Sequence, residues 1–118
     1  MKKDCDDNSK GFCPVEASLE MLSGKWKGRI LWQLYNTPTM RFGELRRSLG
    51  SITEKMLAQQ LRELESLGLI KRHIYREVPP KVEYSLTEFG KTLGPILDKF
   101  AEWGVAHLKK VRSLAKSA

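Results

Sequence analysis

SITEKMLAQQLRELESLG (residues 51–68) predicts an amphipathic helix, and LIKRHIYREVPPKVEYSLT (residues 69–87) follows it without a linker. With 3.6 residues per turn, one stripe of the helix carries Leu57, Leu61 and Leu64. The opposite face carries Lys55, Ala58, Gln59, Arg62 and Ser66. We therefore expect the leucines to be buried and the polar face to remain in solvent.

The start of this helix has two candidate caps. Ser51 and Glu54 have the S-x-x-E spacing of a capping box, in which each side chain bonds a backbone N–H of the other. Thr53 is a rival, since its hydroxyl can accept from the first turn as well. The sequence leaves both starts open.

The segment after the helix predicts a hairpin. Apolar and polar residues alternate on both sides of Pro79-Pro80, and neither proline can donate to a strand ladder. A short helix over residues 43–49, closed by Gly50, precedes the long one. Two helices followed by a basic hairpin predict a winged helix-turn-helix, a mainly α fold with a small β-hairpin wing (α+β).

The polar face of the long helix has the chemistry of base recognition. Gln bridges adenine N6 and N7, Lys and Arg reach guanine or phosphate, and Ala can touch a thymine methyl. We expect Lys55, Gln59 and Arg62 to read base edges, with Ala58 against them. The residues expected on the DNA backbone are Thr53, Arg41, Arg46, Arg76 and Lys81. An ordinary solvated helix face is the alternative interpretation.

Charge and composition favour a polyanionic partner. The 118 residues include 21 Lys and Arg against 14 Asp and Glu, a formal net charge of +7. No apolar run approaches a membrane span, and the polar N-terminus is unlike a secretory signal, so we expect a cytoplasmic protein. No metal cluster, cofactor motif or catalytic constellation is present, and we expect neither cofactor nor enzyme activity.

The two ends of the chain predict an association surface. Pro14 can open a first helix with Cys13 as its cap, and we expect that helix to bury Val15 and Leu19. A last helix over residues 95–111 carries two apolar stripes, more than a small domain leaves in water. The stripes are Ile96, Phe100, Trp103, His107 and Val111, and next to them Leu97, Gly104 and Leu108. A second copy would cover them, although folding onto the domain's own core is the alternative.

Four segments together resemble the HxlR-type regulators, a branch of the MarR-like winged-helix proteins. They are CPVEASLEMLSGKWKGRIL (residues 13–31), RFGELRRSL (41–49), ITEKMLAQQLRELESLGLIKR (52–72) and VPPKVEYSLTEFGKTL (78–93). The resemblance implies a homodimeric, sequence-specific regulator of transcription joined through its first and last helices. It implies a recognition helix at residues 53–67 and a wing at 76–83. Because a twofold protein matches a palindromic site, we expect a palindromic operator in double-stranded DNA. The expected folded domain is 13–111, between a flexible tail (1–12) and a basic tail (112–118).

The resemblance also implies a sensor, because several members of the family respond to oxidants or electrophiles through a cysteine before the first helix. Cys13 holds that position, and a helix N-terminus lowers the pKa of a thiol. The chain has no cysteine beyond Cys13; Cys5 in the N-terminal tail could serve as a resolving partner, and the sequence does not show that it does. An inert capping thiol remains the alternative for Cys13. For the whole chain, the alternative is a winged-helix interaction module that binds no operator.

Overall fold

Seven helices and three strands form residues 12–117, the part of the chain that the computed structural model describes. The helices are α1 (Pro14–Met21), α2 (Lys27–Asn36), α3 (Phe42–Leu49), α4 (Glu54–Ser66), α5 (Glu88–Lys91), α6 (Gly94–Ala106) and α7 (Leu108–Ser117). The strands are β1 (Met40–Arg41), β2 (Ile70–Tyr75) and β3 (Lys81–Leu86). Helices α3 and α4 with the β2–β3 hairpin form the predicted winged helix-turn-helix.

The core lies where α2, α3 and α4 meet the sheet. The predicted leucine stripe of α4 is confirmed, because Leu57, Leu61 and Leu64 are all buried. The same cluster receives Ile30, Leu31 and Leu34 from α2, Leu45 and Leu49 from α3, and Ile70 and Leu86 from the hairpin. Burying one face of α2, α3 and α4 in a single cluster fixes which face of α4 meets solvent.

The sheet is antiparallel, with strand order β1-β3-β2. Strands β2 and β3 pair from Ile70 with Leu86 to Tyr75 with Lys81, which confirms the predicted hairpin. Met40 pairs with Tyr84 on the other edge of β3, so the short strand before α3 anchors the helix-turn-helix to the wing.

Thr53, and not Ser51, caps α4. The Thr53 hydroxyl accepts from the backbone N–H of Met56 at 3.0 Å, and the helix begins at Glu54. The capping box expected from Ser51 is therefore wrong. Ile52, which lies between the two candidate caps, is only 2% exposed and precedes the first helical residue, Glu54.

The apolar faces at the two ends of the described chain are largely uncovered. Val15 and Leu19 are 61% and 57% exposed, so the expectation that this chain buries them is wrong. Nothing within residues 12–117 packs over them.

The single last helix expected over residues 95–111 is also wrong, because the backbone leaves helical geometry at His107 (φ −118°, ψ 34°). Helix α7 then runs from Leu108 to Ser117, so it includes most of the basic tail expected at residues 112–118. The N-terminal tail expected at residues 1–12 lies almost entirely outside the described residues.

Substitution of Gly90 tests how closely α5 packs against the backbone at the start of the hairpin. A Cβ at this position would overlap the backbone carbonyl of Leu69, whereas one at Gly28 in α2 would meet open space. We expect Gly90→Ala to lower the free energy of unfolding by about 1–3 kcal/mol, as overpacking does. Gly28→Ala should leave it unchanged or raise it by up to about 1 kcal/mol, because Ala favours helix. Urea unfolding at one protein concentration measures both, and equal values for the two variants would contradict this packing.

Candidate nucleic-acid interface

The outer face of α4 is the part of the fold best placed to meet a large ligand. Lys55, Gln59 and Arg62 are exposed, and Ala58 between them is partly exposed. Because Leu57, Leu61 and Leu64 are held in the core, these side chains project away from it. An α-helix fits the width of the DNA major groove, and this face of α4 would bring to it two cations, an amide and one short side chain.

Arg46 of α3 closes the turn that leads into α4. Its Nε donates to the backbone carbonyl of Ile52 at 3.3 Å, and its Nη1 lies 3.3 Å from a carboxylate oxygen of Glu54. The guanidinium thus joins the end of one helix to the beginning of the next. It keeps further N–H donors beyond these two contacts, since a guanidinium has five.

A buried ammonium group fixes the other side of α4. Lys27 of α2 donates from Nζ to Oε1 of Gln60 at 3.0 Å and to Oε1 of Glu63 at 2.5 Å. The second oxygen of Glu63 accepts from Nε2 of Gln59 at 3.2 Å. The hydrogen bond from Lys27, and then the one from Gln59, hold the pKa of Glu63 below its usual value. Glu63 therefore stays ionised beside a face expected to meet DNA.

The wing has its own charged cluster. Tyr75 donates its hydroxyl to Oε1 of Glu83 at 2.7 Å, and Lys81 lies 3.4 Å from the other carboxylate oxygen. The Lys81 ammonium also sits 4.5 Å from the centre of the Tyr75 ring. The Tyr75 hydrogen bond lowers the pKa of Glu83, and the same bond to an anion raises the pKa of Tyr75. These contacts stiffen the hairpin below its tip.

The remaining predicted contacts lie on either side of this cluster. Arg76 is exposed at the start of the loop, and Val78 at the tip is 99% exposed. Arg41 is exposed on β1, where it pairs with Glu83 across the sheet. The predicted set therefore divides into outward cations (Arg41, Lys55, Arg62, Arg76) and cations already engaged within the chain (Arg46, Lys81).

Sequence reasoning missed the Lys27 cluster, although a signal for it was present. Lys27 falls on the same helical stripe as Ile30, Leu31 and Leu34, at the i, i+3, i+4, i+7 spacing of a core face. A lysine on such a stripe must find an acceptor inside the protein, because burial of an unpaired ammonium is costly. The acceptors are 33 and 36 residues away in the chain, so their identity could not be read locally.

Cys13 is the N-cap of α1, as predicted. Its Sγ accepts from the backbone N–H of Glu16 at 3.4 Å. Cys5, the one other cysteine of the sequence, lies outside the described residues.

The described residues contain neither a membrane-spanning helix nor a metal-binding cluster. Across residues 12–117, no helix combines the length and apolar character that a bilayer crossing requires. No group of three or more His, Cys, Asp or Glu side chains in that range could hold a metal ion.

Comparison with known proteins agrees with this geometry. The uncharacterized HTH-type transcriptional regulator YybR of Bacillus subtilis (strain 168) is 52% identical over 103 residues, which cover 87% of this chain and 81% of YybR. The redox regulator HypR in its reduced form superposes with a TM-score of 0.78 at 51% identity, over 85% of this chain and 98% of HypR. Reduced YodB from B. subtilis gives a TM-score of 0.67 at 31% identity, over 79% of this chain and 91% of YodB.

The family assignment rests on most of the chain. YybR and YodB are named as transcriptional regulators and HypR as a redox regulator, and none of the three is named as an enzyme. Residues 21–112 match the HxlR-like helix-turn-helix family. They span the helix-turn-helix, the wing and the helices that follow it. The chain therefore belongs to the HxlR-like family and is a DNA-binding transcriptional regulator of the helix-turn-helix type.

Proposed function

We propose that this regulator binds a palindromic operator as a homodimer, with α4 of each copy in a major groove. The observation that carries the proposal is the orientation of α4, whose leucines are buried while Lys55, Gln59 and Arg62 face solvent. Lys55, Gln59 and Arg62 read base edges, with Ala58 against the bases. The net charge of +7 supplies the sequence-independent attraction to phosphate.

Backbone contacts set the register of the helix in the groove. We assign them to Thr53 at the start of α4, to Arg41, and to Arg76 on the wing. Arg46 joins them through the N–H groups that its contacts with Ile52 and Glu54 leave over. Lys81 contributes from the wing cluster, where Tyr75 and Glu83 hold it in place.

The dimer interface lies on α1 and α6. Val15 and Leu19 on α1 and Ile96, Phe100 and Trp103 on α6 are each more than half exposed in the single chain. Aromatic residues in an exposed apolar patch are typical of the centre of protein interfaces. A twofold interface of this kind presents two recognition helices to one duplex, as a palindromic site requires.

We propose Cys13 as the site through which an oxidant or electrophile controls this activity. Its sulfur caps α1, next to the apolar face assigned to the dimer. The sulfur of Cys13 forms a bond with that of a second thiol, for which Cys5 is the candidate in this sequence, and a two-electron oxidant such as a quinone or a diazene takes up the two electrons and the two thiol protons. Support comes from relatives, since HypR and YodB have each been solved in a reduced form and HypR also in an oxidised form.

The DNA face is tested with two variants that affect recognition differently. Gln59→Ala should relax specificity at one position of each half-site by about 1–3 kcal/mol, because it removes a base contact. Arg76→Ala should weaken binding to all duplexes alike and lower the salt slope by about 1, because it removes a phosphate contact. Titrations use a duplex selected by the unaltered protein from a random pool, and its single-base-pair variants. Unchanged affinity and specificity in both variants would contradict this DNA face, and failure to select any duplex would favour an interaction module.

The interface is tested by placing a charge on it. Phe100→Glu should raise the dimer dissociation constant by at least about 100-fold, because a carboxylate would be buried without a partner. Ile74→Glu is the matched control, since Ile74 is 54% exposed against 55% for Phe100 and belongs to β2 of the wing rather than to α1 or α6. Sedimentation equilibrium gives both constants. A Phe100→Glu protein that stays as dimeric as the control would exclude α6 from the interface.

The redox proposal predicts that mild oxidation weakens operator binding and that dithiothreitol restores it. Cys13→Ser should abolish the difference, because serine keeps a capping oxygen but forms no disulfide. Fluorescence anisotropy with the selected duplex, before and after diamide, measures the response. A Cys13→Ser protein that responds like the unaltered one would exclude Cys13 as the sensor.

A further inference from the structure

Lys27 is a buried cation whose contacts all lead to the recognition helix. Its side chain is only 9% exposed, while the partner Glu63 is 44% exposed. The ammonium contacts Gln60 and Glu63, which lie on the side of α4 that faces α2. Lys27 itself is too deeply placed to reach DNA, so any influence on recognition must pass through these two partners.

Glu63 divides its two carboxylate oxygens between the core and the DNA face. One accepts from Lys27 and the other accepts from the Nε2 amide of Gln59, one turn earlier in α4. The contact uses one of the two N–H bonds of that amide. The other N–H and the carbonyl oxygen are the pair that a glutamine offers to N7 and N6 of adenine.

The Lys27 ammonium also offsets the repulsion between the Glu63 carboxylate and the phosphates of a duplex. A carboxylate on the recognition helix repels the phosphates of a duplex, and an unpaired Glu63 would turn toward water and release Gln59. Lys27 neutralises this carboxylate from behind and holds it in the position that Gln59 contacts. The order of contacts is thus Lys27, Glu63, Gln59, from the core outward.

We propose that Lys27 is a positioning residue for base recognition, which orients the Gln59 amide through Glu63. The inference rests on the proposed function, in which Gln59 reads a base edge. It adds a residue of α2, outside the helix-turn-helix, to the determinants of operator specificity.

The test compares Lys27→Met with Lys25→Met in the full-length chain. Methionine keeps the buried apolar stem and removes the ammonium, while Lys25→Met removes the same charge from an exposed neighbour. The readout is discrimination among base-pair variants of the selected duplex, at the half-site position that Gln59→Ala identifies. We expect Lys27→Met to reduce it by about three- to tenfold, since the amide keeps its chemistry but loses its orientation. Lys25→Met should leave it unchanged.

A double-mutant cycle separates positioning from a general loss of structure. In the Gln59→Ala background, Lys27→Met should cause no further loss of discrimination, because the two changes act on one contact. If Lys27→Met does not fold, Glu63→Ala takes its place, because Glu63 is partly exposed and Ala favours helix. Its control is Glu65→Ala, which removes the same charge from the same helix but not the contact with Gln59.

The outcomes separate this inference from the function on which it rests. Loss of discrimination at the same position by Gln59→Ala and Lys27→Met, without additivity, supports positioning. If Gln59→Ala relaxes one position while Lys27→Met weakens all duplexes alike or changes nothing, Lys27 does not position the amide. If Gln59→Ala relaxes no position, the base contact itself is absent and the inference falls with it.

Discussion

Burial of the leucine stripe on α4 is the constraint on which the rest of the molecule depends. Leu57, Leu61 and Leu64 are each no more than 2% exposed and contribute to one apolar cluster. Burying a leucine side chain contributes about 1.5–3 kcal/mol, so rotating α4 about its axis would forfeit several such contributions. The outward aim of Lys55, Gln59 and Arg62 is therefore a consequence of core packing. The Thr53 cap and the Arg46 contacts then fix where the helix begins.

Charges around the site are arranged so that the acids are satisfied within the chain and most of the cations project outward. Glu63 and Glu83 both lie beside surfaces that would meet phosphate, and each is held by partners from another element or strand. Their lowered pKa values follow from those hydrogen bonds, from Lys27 to Glu63 and from Tyr75 to Glu83. Arg41, Arg62 and Arg76 remain exposed for a polyanion. Because Glu63 and Glu83 are paired within the chain, they offset less of the positive potential that the exposed arginines present to a polyanion.

Local periodicity was enough to predict the fold, because the leucine stripe, the Pro-Pro turn and the hairpin alternation are short-range patterns. Local periodicity did not predict the features that depend on tertiary contacts between elements. Ser51 matched a capping box, but Thr53 is the residue that caps α4, and Ile52 between these two candidates is buried in the core. Val15 and Leu19 had a core pattern, yet the described chain offers nothing to cover them. The Lys27 contact joins residues 36 positions apart, which no local pattern specifies.

The central claim is that α4 of two copies enters successive major grooves of one duplex. Methylation interference tests it directly, because dimethyl sulfate modifies guanine at N7 in the major groove and adenine at N3 in the minor groove. The account predicts interference from guanine N7 in two symmetric half-sites whose centres lie about 10 base pairs apart. Interference from adenine N3 alone, or from a single unrepeated cluster, would contradict it.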